Sequence, residues 1–271
     1  MPRAGNVRVG IGGWTFEPWR GAFYPKGLAH AKELAYASSK LTTIEINGTF
    51  YRTQTPATFA KWRQQVPDGF VFAVKGSSYI TNRKVLASAG EAMVKFYAQG
   101  LDELGDRLGP ILWQLMATKK FEAEDIAAFF ALLPRELKGL PLRYAIEVGH
   151  ESFACAEFVA IAREANVSIV WCEQEGRAPI ADRTADFAYL RCKNLAAKRA
   201  TGYSPAELDR IATMCRDWAS GKAPEGLPYA GNPADSRRPG GEEVFAFMIN
   251  GAKERAPSAA LALAKKAMRP G

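Results

Sequence analysis

The sequence has few of the residues that bind transition metals or form disulfide frameworks. It has two histidines, His30 and His150, and four cysteines in 271 residues, and no Cys-x-x-Cys pair occurs. Zinc ribbons and thioredoxin-type sites need such pairs, and multi-metal sites need several imidazoles. We therefore expect no bound transition metal and no cofactor. We expect the cysteines to be buried thiols in a reducing cytoplasm.

Long apolar runs and runs of one charge sign are also missing. No stretch of about 18 apolar residues occurs, and the N-terminus lacks the apolar core of a signal peptide. We therefore expect a cytoplasmic protein with no membrane partner. Basic residues exceed acidic ones, 36 against 28, and the net charge is +8. This spread-out excess mildly favours anionic ligands or nucleic acid, but no nucleic-acid-binding motif accompanies it.

Short apolar runs alternate with helical patterns along the chain. We predict eight strands, at residues 7–12, 42–47, 70–75, 110–115, 144–148, 167–172, 187–192 and 244–249. Helical patterns lie at residues 29–40, 55–66, 89–107, 123–133, 154–165, 204–219 and 257–268. Strands that alternate with helices indicate parallel βαβ units. Eight units in this length predict an α/β fold of the (β/α)₈ TIM-like barrel class, whereas a doubly wound sheet usually has fewer strands.

Two stretches depart from the βα alternation. Residues 173–186 show no helical period, so we expect a loop to replace the helix between strands six and seven. Residues 221–241 contain four prolines and five glycines. Structureless stretches of this length are uncommon in compact domains. We interpret this one as an irregular surface insertion on the N-terminal face of a single TIM-barrel-like domain over residues 1–271.

Polar residues fall late in the predicted strands or directly after them. They are Glu45, Asn47, Lys75, Gln114, Glu147, His150, Arg191 and Asn250. Barrel strands are buried on both faces, so a charged residue inside them needs a reason. The carboxyl ends of the strands converge on one mouth, where active sites of this fold lie. We therefore predict a polar pocket there. The structural alternative is a salt-bridge network that pairs Glu45 with Lys75 and Glu147 with Arg191.

The residue types in this pocket suggest roles for its members. We assign acid–base catalysis to Glu45, Glu147 and His150. We assign substrate binding to Trp14, Asn47, Tyr51, Lys75, Gln114, Arg191 and Asn250. Lysine and arginine suit a phosphate or carboxylate, whereas two carboxylates with aromatic walls suit a sugar. The two acids would also allow weak Mg²⁺ binding.

Three functions are compatible with such a pocket. The first is an enzyme, of hydrolase or lyase type, that acts by acid–base chemistry on an anionic or polyhydroxylated small substrate. The second is a binding protein for a small anionic or sugar-like ligand, without turnover. The third is a nucleic-acid binding or processing protein, which the net charge favours and no motif supports.

At several motifs the chain resembles a known family, the domain of unknown function 72 family, also called YecE-like. The motifs include Gly12-Gly13-Trp14, Trp19-Arg20-Gly21, Phe23-Tyr24-Pro25, Glu45-Ile46-Asn47, Thr49-Phe50-Tyr51, Phe72-Ala73-Val74-Lys75, Gln114-Leu115, Ile146-Glu147 and Tyr189-Leu190-Arg191. The resemblance covers nearly the whole chain. It implies a TIM-barrel-like fold with a pocket at the strand ends, and it leaves the reaction open.

The second half of the chain departs from the family pattern. Arginine, proline, histidine, glycine and two asparagines are usual where this chain has Gly149, Glu151, Cys192, Lys193, Ile249 and Ala259. These differences imply an altered ligand or a loss of catalysis. The charges of Lys193 and Glu151 would also replace charges that the family carries one position away.

Overall fold

A computed structural model of the chain describes residues 7–174, 179–237 and 239–267. These residues form eleven strands: β1 Val7–Gly12, β2 Thr43–Ile46, β3 Val71–Lys75, β4 Leu108–Gln114, β5 Glu136–Leu137, β6 Leu140–Pro141, β7 Tyr144–Glu147, β8 Val167–Ile169, β9 Trp171–Glu173, β10 Phe187–Cys192 and β11 Glu243–Met248. Strands β5 and β6 form a small antiparallel hairpin. The other nine form one parallel sheet in the order β8-β7-β4-β3-β2-β1-β11-β10-β9.

The nine-stranded sheet curls into a TIM-like barrel because its two edge strands follow each other in the chain. Only Val170 separates β8 from β9, and β8 pairs with β7 while β9 pairs with β10. Val170 N donates to Ile146 O at 2.9 Å. The predicted sixth strand is therefore present but divided between two neighbours. This division gives nine strands in the described part of the chain where eight were predicted, and the predicted barrel architecture is confirmed.

The helices lie between barrel strands, except the last one, which follows β11. They are α1 Glu33–Lys40, α2 Gly48–Tyr51, α3 Pro56–Gln64, α4 Ser78–Thr81, α5 Gly90–Tyr97, α6 Ala123–Ala131, α7 Ala156–Glu164, α8 Pro205–Ala219 and α9 Ala256–Ala267. Helix α8 begins with a capping box, in which Ser204 and Glu207 bind each other's backbone N–H groups. None of the helices in the described ranges has the length and hydropathy needed to cross a bilayer.

The prediction of one long helix over residues 89–107 is wrong. Helix α5 ends at Tyr97, and a 3₁₀ segment, Leu101–Arg107, follows it. Gly100 between them has a φ of 96°. A Cβ atom at this position would lie 2.7 Å from Pro56 Cα. The left-handed turn and the close approach to α3 both require glycine, so the helix ends here.

The loop after β9 and the irregular insertion pack against each other. Residues 174 and 179–186 contain no helix, as predicted, and residues 175–178 lie outside the described part of the chain. The Asp182 carboxylate accepts hydrogen bonds from the N–H groups of Ala230 and Gly231, at 2.7 and 3.1 Å. Arg183 N donates to Ser236 Oγ at 3.0 Å. These bonds attach residues 230–236 to the chain that leads into β10.

Alternate residues of the strands form two separate layers. One set packs under the helices and includes Ile44, Phe72 and Trp113. The other set fills the barrel interior and includes Ala73, Leu112, Tyr189 and Phe247. The next inward positions toward the carboxyl ends are polar: Glu45, Lys75, Gln114, Glu147 and Arg191. The fold therefore places these five side chains above the apolar interior, at the barrel mouth.

Candidate functional site

Arg191 is the centre of a buried ionic cluster below the barrel mouth. Its Nε and Nη2 atoms donate to the Glu45 carboxylate at 3.0 and 2.8 Å. Its Nη1 atom donates to Gln114 Oε1 at 2.9 Å and also to the Glu147 carboxylate. Both carboxylates are fully buried, and the Arg191 side chain is 2% exposed. Burial lowers the pKa of Arg191, but Glu147 and Glu45 raise it by more. Arg191 therefore stays charged.

Glu147 lies between two cations. Lys193 Nζ donates to Glu147 Oε1 at 2.5 Å, and Arg191 binds Oε2. Burial raises the pKa of Glu147, but the charges of Arg191 and Lys193 outweigh it and bring the pKa down to about 2. Glu147 is therefore ionised near neutral pH. This ionised state argues against a role for Glu147 as a proton donor.

Tyr189 and Lys193 join the cluster although neither was among the predicted site residues. Tyr189 OH donates to Glu45 Oε2 at 2.8 Å. Burial, with a contribution from Glu45, raises the pKa of Tyr189 well above its usual value. Tyr189 and Lys193 lie two residues before and after Arg191, and alternation places all three on the inward face. That two-residue spacing is the sequence signal that would have identified them.

Lys75 lies in the same interior layer without a carboxylate partner. It ends β3 and is 8% exposed. Its Nζ lies 3.9 Å from the centroid of the Phe50 ring. Among the described residues, no carboxylate oxygen lies within 4.0 Å of this Nζ, so the predicted alternative of a Glu45–Lys75 salt bridge is not formed. Burial and then the charge of Arg191 lower the pKa of Lys75 to about 8.

Two amide side chains flank Lys75 on neighbouring strands. Gln114 ends β4, and Arg191 occupies its Oε1, which leaves Nε2 as a hydrogen-bond donor. Asn47 follows Ile46, which pairs with Val74, the residue before Lys75. The Asn47 side chain is partly exposed. The amine and the two amides thus lie at the ends of three adjacent strands, where they can donate hydrogen bonds to a ligand.

The other four predicted site residues lie apart from the ionic cluster. His150 Nδ1 accepts a hydrogen bond from Ser152 N at 3.1 Å and caps a short 3₁₀ helix. Trp14 packs edge-on against Trp62 of α3, with ring centroids 5.1 Å apart. Tyr51 is 77% exposed, and Asn250 is exposed as well. The contacts of His150 and Trp14 are those of helix capping and loop packing.

The described residues include no group of three or more histidine, cysteine, aspartate or glutamate side chains arranged to hold a metal ion. Glu45 and Glu147, the two acids with the best placement, bind Arg191 and Lys193 instead. The four cysteines are free thiols. Burial raises the pKa of the Cys192 and Cys215 thiols. Raised pKa values suit inert packing thiols rather than nucleophiles.

These features define a TIM-like α/β barrel protein with a polar site at the carboxyl ends of its strands. The family model described as "Protein of unknown function DUF72" matches residues 8–270, and the chain belongs to this family. The resemblance seen in the sequence motifs is therefore confirmed. No curated protein matched the chain.

Two solved structures are similar in fold over almost the full length. A DUF72 family protein from Thermotoga maritima MSB8 is 22% identical, with a TM-score of 0.72; the match covers 96% of this chain and 98% of that one. A DUF72 family protein from Enterococcus faecalis V583 is 18% identical, with a TM-score of 0.67; the match covers 96% of this chain and 97% of that one. At these identities the likeness shows the shared fold.

Proposed function

We propose that the protein is an enzyme that binds a small anionic substrate at the barrel mouth and acts on it by acid–base chemistry. The observation behind this proposal is the charge balance of the interior. The described interior side chains set three cations against two carboxylates: Lys75, Arg191, Lys193, Glu45 and Glu147. The two carboxylates pair with Arg191 and Lys193, so Lys75 has no ion-pair partner among the described residues; the charges of Glu45 and Glu147 offset only part of the effect of burial and Arg191 on its pKa.

An uncompensated charge in a partly desolvated site favours a ligand of opposite sign. Removing an ammonium group from water is costly unless another charge or hydrogen bonds replace the water. The carboxylate or phosphate group of a substrate would supply the missing negative charge beside Lys75. The amides of Asn47 and Gln114 would donate hydrogen bonds to the same group or to substrate hydroxyls. The site therefore suits an anionic or polyhydroxylated small molecule.

Within this proposal, Lys75 is the group that moves a proton. A catalytic acid or base works best when its pKa lies near the working pH. The pKa of Lys75, about 8, meets this condition, whereas the pKa of Glu147, about 2, does not. Glu45 and Glu147 then have a different role, because they hold Arg191 and so fix the charged layer below the substrate.

A binding protein without turnover is the second candidate. It is favoured by the ionised state of Glu147 and by the use of His150 as a helix cap, since both remove predicted proton carriers. The two candidates share the anion site and differ in what Lys75 does. In an enzyme, the pH dependence of turnover reports the ionisation of Lys75; in a binding protein, the same ionisation affects affinity alone.

The melting temperature of the full chain tests the anion site. We expect inorganic phosphate or lactate to raise it for the wild type and for Lys75→Arg, but not for Lys75→Met. Sodium chloride at equal ionic strength and uncharged glycerol are the solution controls. Lys61→Met, which removes an exposed lysine on α3, is the matched variant and should respond like the wild type. Equal responses of the wild type and Lys75→Met would contradict the proposal.

A further inference from the structure

We infer that Lys75 is a carbonyl-reactive amine, whose Nζ condenses with a small aldehyde or ketone that carries an anionic group and forms a Schiff base with it. The inference rests on the proposed function, because the anion that binds beside Lys75 brings its carbonyl to the amine. It goes further, because it names the chemical class of the substrate and makes the neutral amine of Lys75 a nucleophile that bonds to the substrate, a role beyond the proton transfer proposed above.

The backbone holds Lys75 firmly at the end of β3. Thr49 Oγ1 donates to Lys75 O at 2.6 Å, and Gly76 N donates to Leu112 O at 2.8 Å. Gly76 also packs directly on the Trp113 ring, so closely that a Cβ atom would lie 2.1 Å from it. An attacking group must be held in position to react efficiently. These contacts on both sides of Lys75 supply that position.

The surroundings of the amine leave it available for attack. Nζ contacts the face of the Phe50 ring and has no hydrogen-bond acceptor among the described residues. Lys75 is 8% exposed, so it keeps some access to solvent at the mouth. Lys193 provides the contrast in the same layer, because its Nζ is bound to Glu147 at 2.5 Å. An amine bound to a carboxylate in this way is not free to attack a carbonyl carbon.

The charge state agrees with this placement. Only the neutral amine attacks a carbonyl carbon. With a pKa of about 8, about a quarter of Lys75 is neutral at about pH 7.5. At the usual lysine pKa, only about one part in a thousand is neutral at that pH. Burial and the like charge of Arg191 thus make Lys75 reactive under conditions in which an exposed lysine is not.

The proposed step balances without an oxidant or reductant. The lone pair of the neutral Nζ attacks the carbonyl carbon, and a C–N bond forms while the C–O π bond breaks. The carbonyl oxygen leaves as water. In the net reaction, both protons of that water come from the amine nitrogen. The product is the imine, and its protonated form withdraws electrons from the neighbouring carbon. That electron withdrawal is the chemistry that a lyase requires.

The substrate class follows from the groups around Lys75. The carbonyl must reach Nζ while a carboxylate or phosphate compensates the excess positive charge of the layer. Gln114 ends β4 and Asn47 follows β2, the two strands beside β3, and their amides would hold the oxygens of that anionic group. A 2-oxo acid and a phosphorylated ketone share this arrangement of carbonyl and anion. Pyruvate and dihydroxyacetone phosphate represent the two, and hydroxyacetone is their uncharged counterpart.

Reductive trapping tests the inference on the full chain. The protein is incubated with each probe and sodium cyanoborohydride, and the modified lysines are located by peptide mass spectrometry. We expect a reduced adduct at Lys75, roughly tenfold above that at the exposed lysines, with pyruvate or dihydroxyacetone phosphate. Hydroxyacetone should give much less. In the same chain, Lys193 is the internal control, which needs no variant and should stay unmodified.

Separate outcomes distinguish the inference from the proposed function. If Lys75→Arg keeps the phosphate-induced rise in melting temperature and wild-type Lys75 is not trapped by either anionic probe, the Schiff base is overturned and the anion site stands. Adducts spread evenly over the lysines would also overturn it. If neither trapping nor the rise is seen, both proposals fail. Carbamylation by cyanate adds a ligand-free check: Lys75 should titrate near 8, and a midpoint shared with the exposed lysines overturns the inference.

Discussion

Arg191 binds Glu45 through two parallel hydrogen bonds, of 3.0 and 2.8 Å, across the interior of the barrel. Their strands are not neighbours, because β1 and β11 lie between β2 and β10 in the sheet. The same guanidinium also reaches Gln114 on β4 and Glu147 on β7. One buried side chain therefore connects four strands of the barrel. Breaking such a buried pair by removing one partner is strongly destabilising.

The first prediction concerns the hydroxyl of Tyr189. Tyr189→Phe removes the hydrogen bond to Glu45 and leaves one lone pair of a buried carboxylate without its donor. A hydrogen bond to a charged group contributes about 1.5–3 kcal/mol, so we expect a loss of this size in the free energy of unfolding. Urea unfolding measures it. Tyr51→Phe, at an exposed tyrosine, is the control and should change the free energy by less than about 0.5 kcal/mol. Similar losses in the two variants would contradict this account.

The second prediction concerns the charge of Glu147. Glu147→Gln keeps the shape of the side chain but leaves Arg191 and Lys193 without a shared negative charge. We expect a loss on the order of 3 kcal/mol at neutral pH, measured by urea unfolding. Glu151→Gln, at an exposed position nearby, should be close to neutral.

The pH dependence of the Glu147→Gln effect follows from the direction of the pKa shift. The pKa of Glu147 is lowered from 4.5 to about 2 on folding. The charge of Glu147 therefore stabilises the folded protein fully above about pH 4.5. The effect is lost as the pH falls toward about 2, because over this range the unfolded chain takes up the proton and the folded protein does not. The difference between wild type and variant should therefore shrink over this range. A constant difference would show that packing, and not charge, causes the loss.

The third prediction concerns the glycine that follows Lys75. In Gly76→Ala the new methyl group would lie 2.1 Å from the Trp113 ring, so the chain or the ring must move. Such overpacking typically costs about 1–3 kcal/mol, and the displaced backbone would carry Lys75 with it. We expect a lower melting temperature and a weaker phosphate-induced rise. Gly90→Ala is the control, because nothing lies within 4 Å of its added Cβ. A normal phosphate response in Gly76→Ala would show that Lys75 is not positioned through this contact.

Strand positions and inward faces were predictable from the sequence because they depend on alternation along each strand. Residues 7–12 and 187–192 were predicted with the observed bounds. The same alternation placed Glu45 and Arg191 inside the barrel. The partner of each charge was not predictable in this way. The predicted Glu45–Lys75 pair is replaced by Glu45–Arg191, because the contact crosses the barrel and skips two strands.

Side chains in the loops after the strands were predicted less well. Trp14 and Tyr51 both follow strands, which suggested stacking walls for a ligand. Trp14 instead packs on Trp62 of α3, and Tyr51 is exposed. The spacing of residues along a strand fixes the direction of their side chains, but a loop has no such period. The surroundings of a loop residue depend on contacts with distant segments, which one sequence does not reveal.

The last prediction concerns the cost of the unpaired charge at Lys75. Lys75→Met removes a cation that is partly desolvated and lies near Arg191, while it keeps an unbranched side chain of similar length. The pKa of the Lys75 amine is lowered from 10.5 to about 8 by folding, so the unfolded chain holds the proton more tightly. The cost of this charge is complete below pH 8 and disappears as the pH rises toward 10.5. At neutral pH we therefore expect the variant to be more stable than the wild type, by on the order of 2 kcal/mol.

Urea unfolding from neutral pH to about pH 10 measures this advantage of Lys75→Met. The advantage should shrink as the pH rises, because the wild type gains stability as Lys75 loses its proton. Lys61→Met should show no such trend, since Lys61 is exposed. A Lys75→Met variant less stable than the wild type at neutral pH would mean that Lys75 has a compensating partner, and the anion site would then lose its basis.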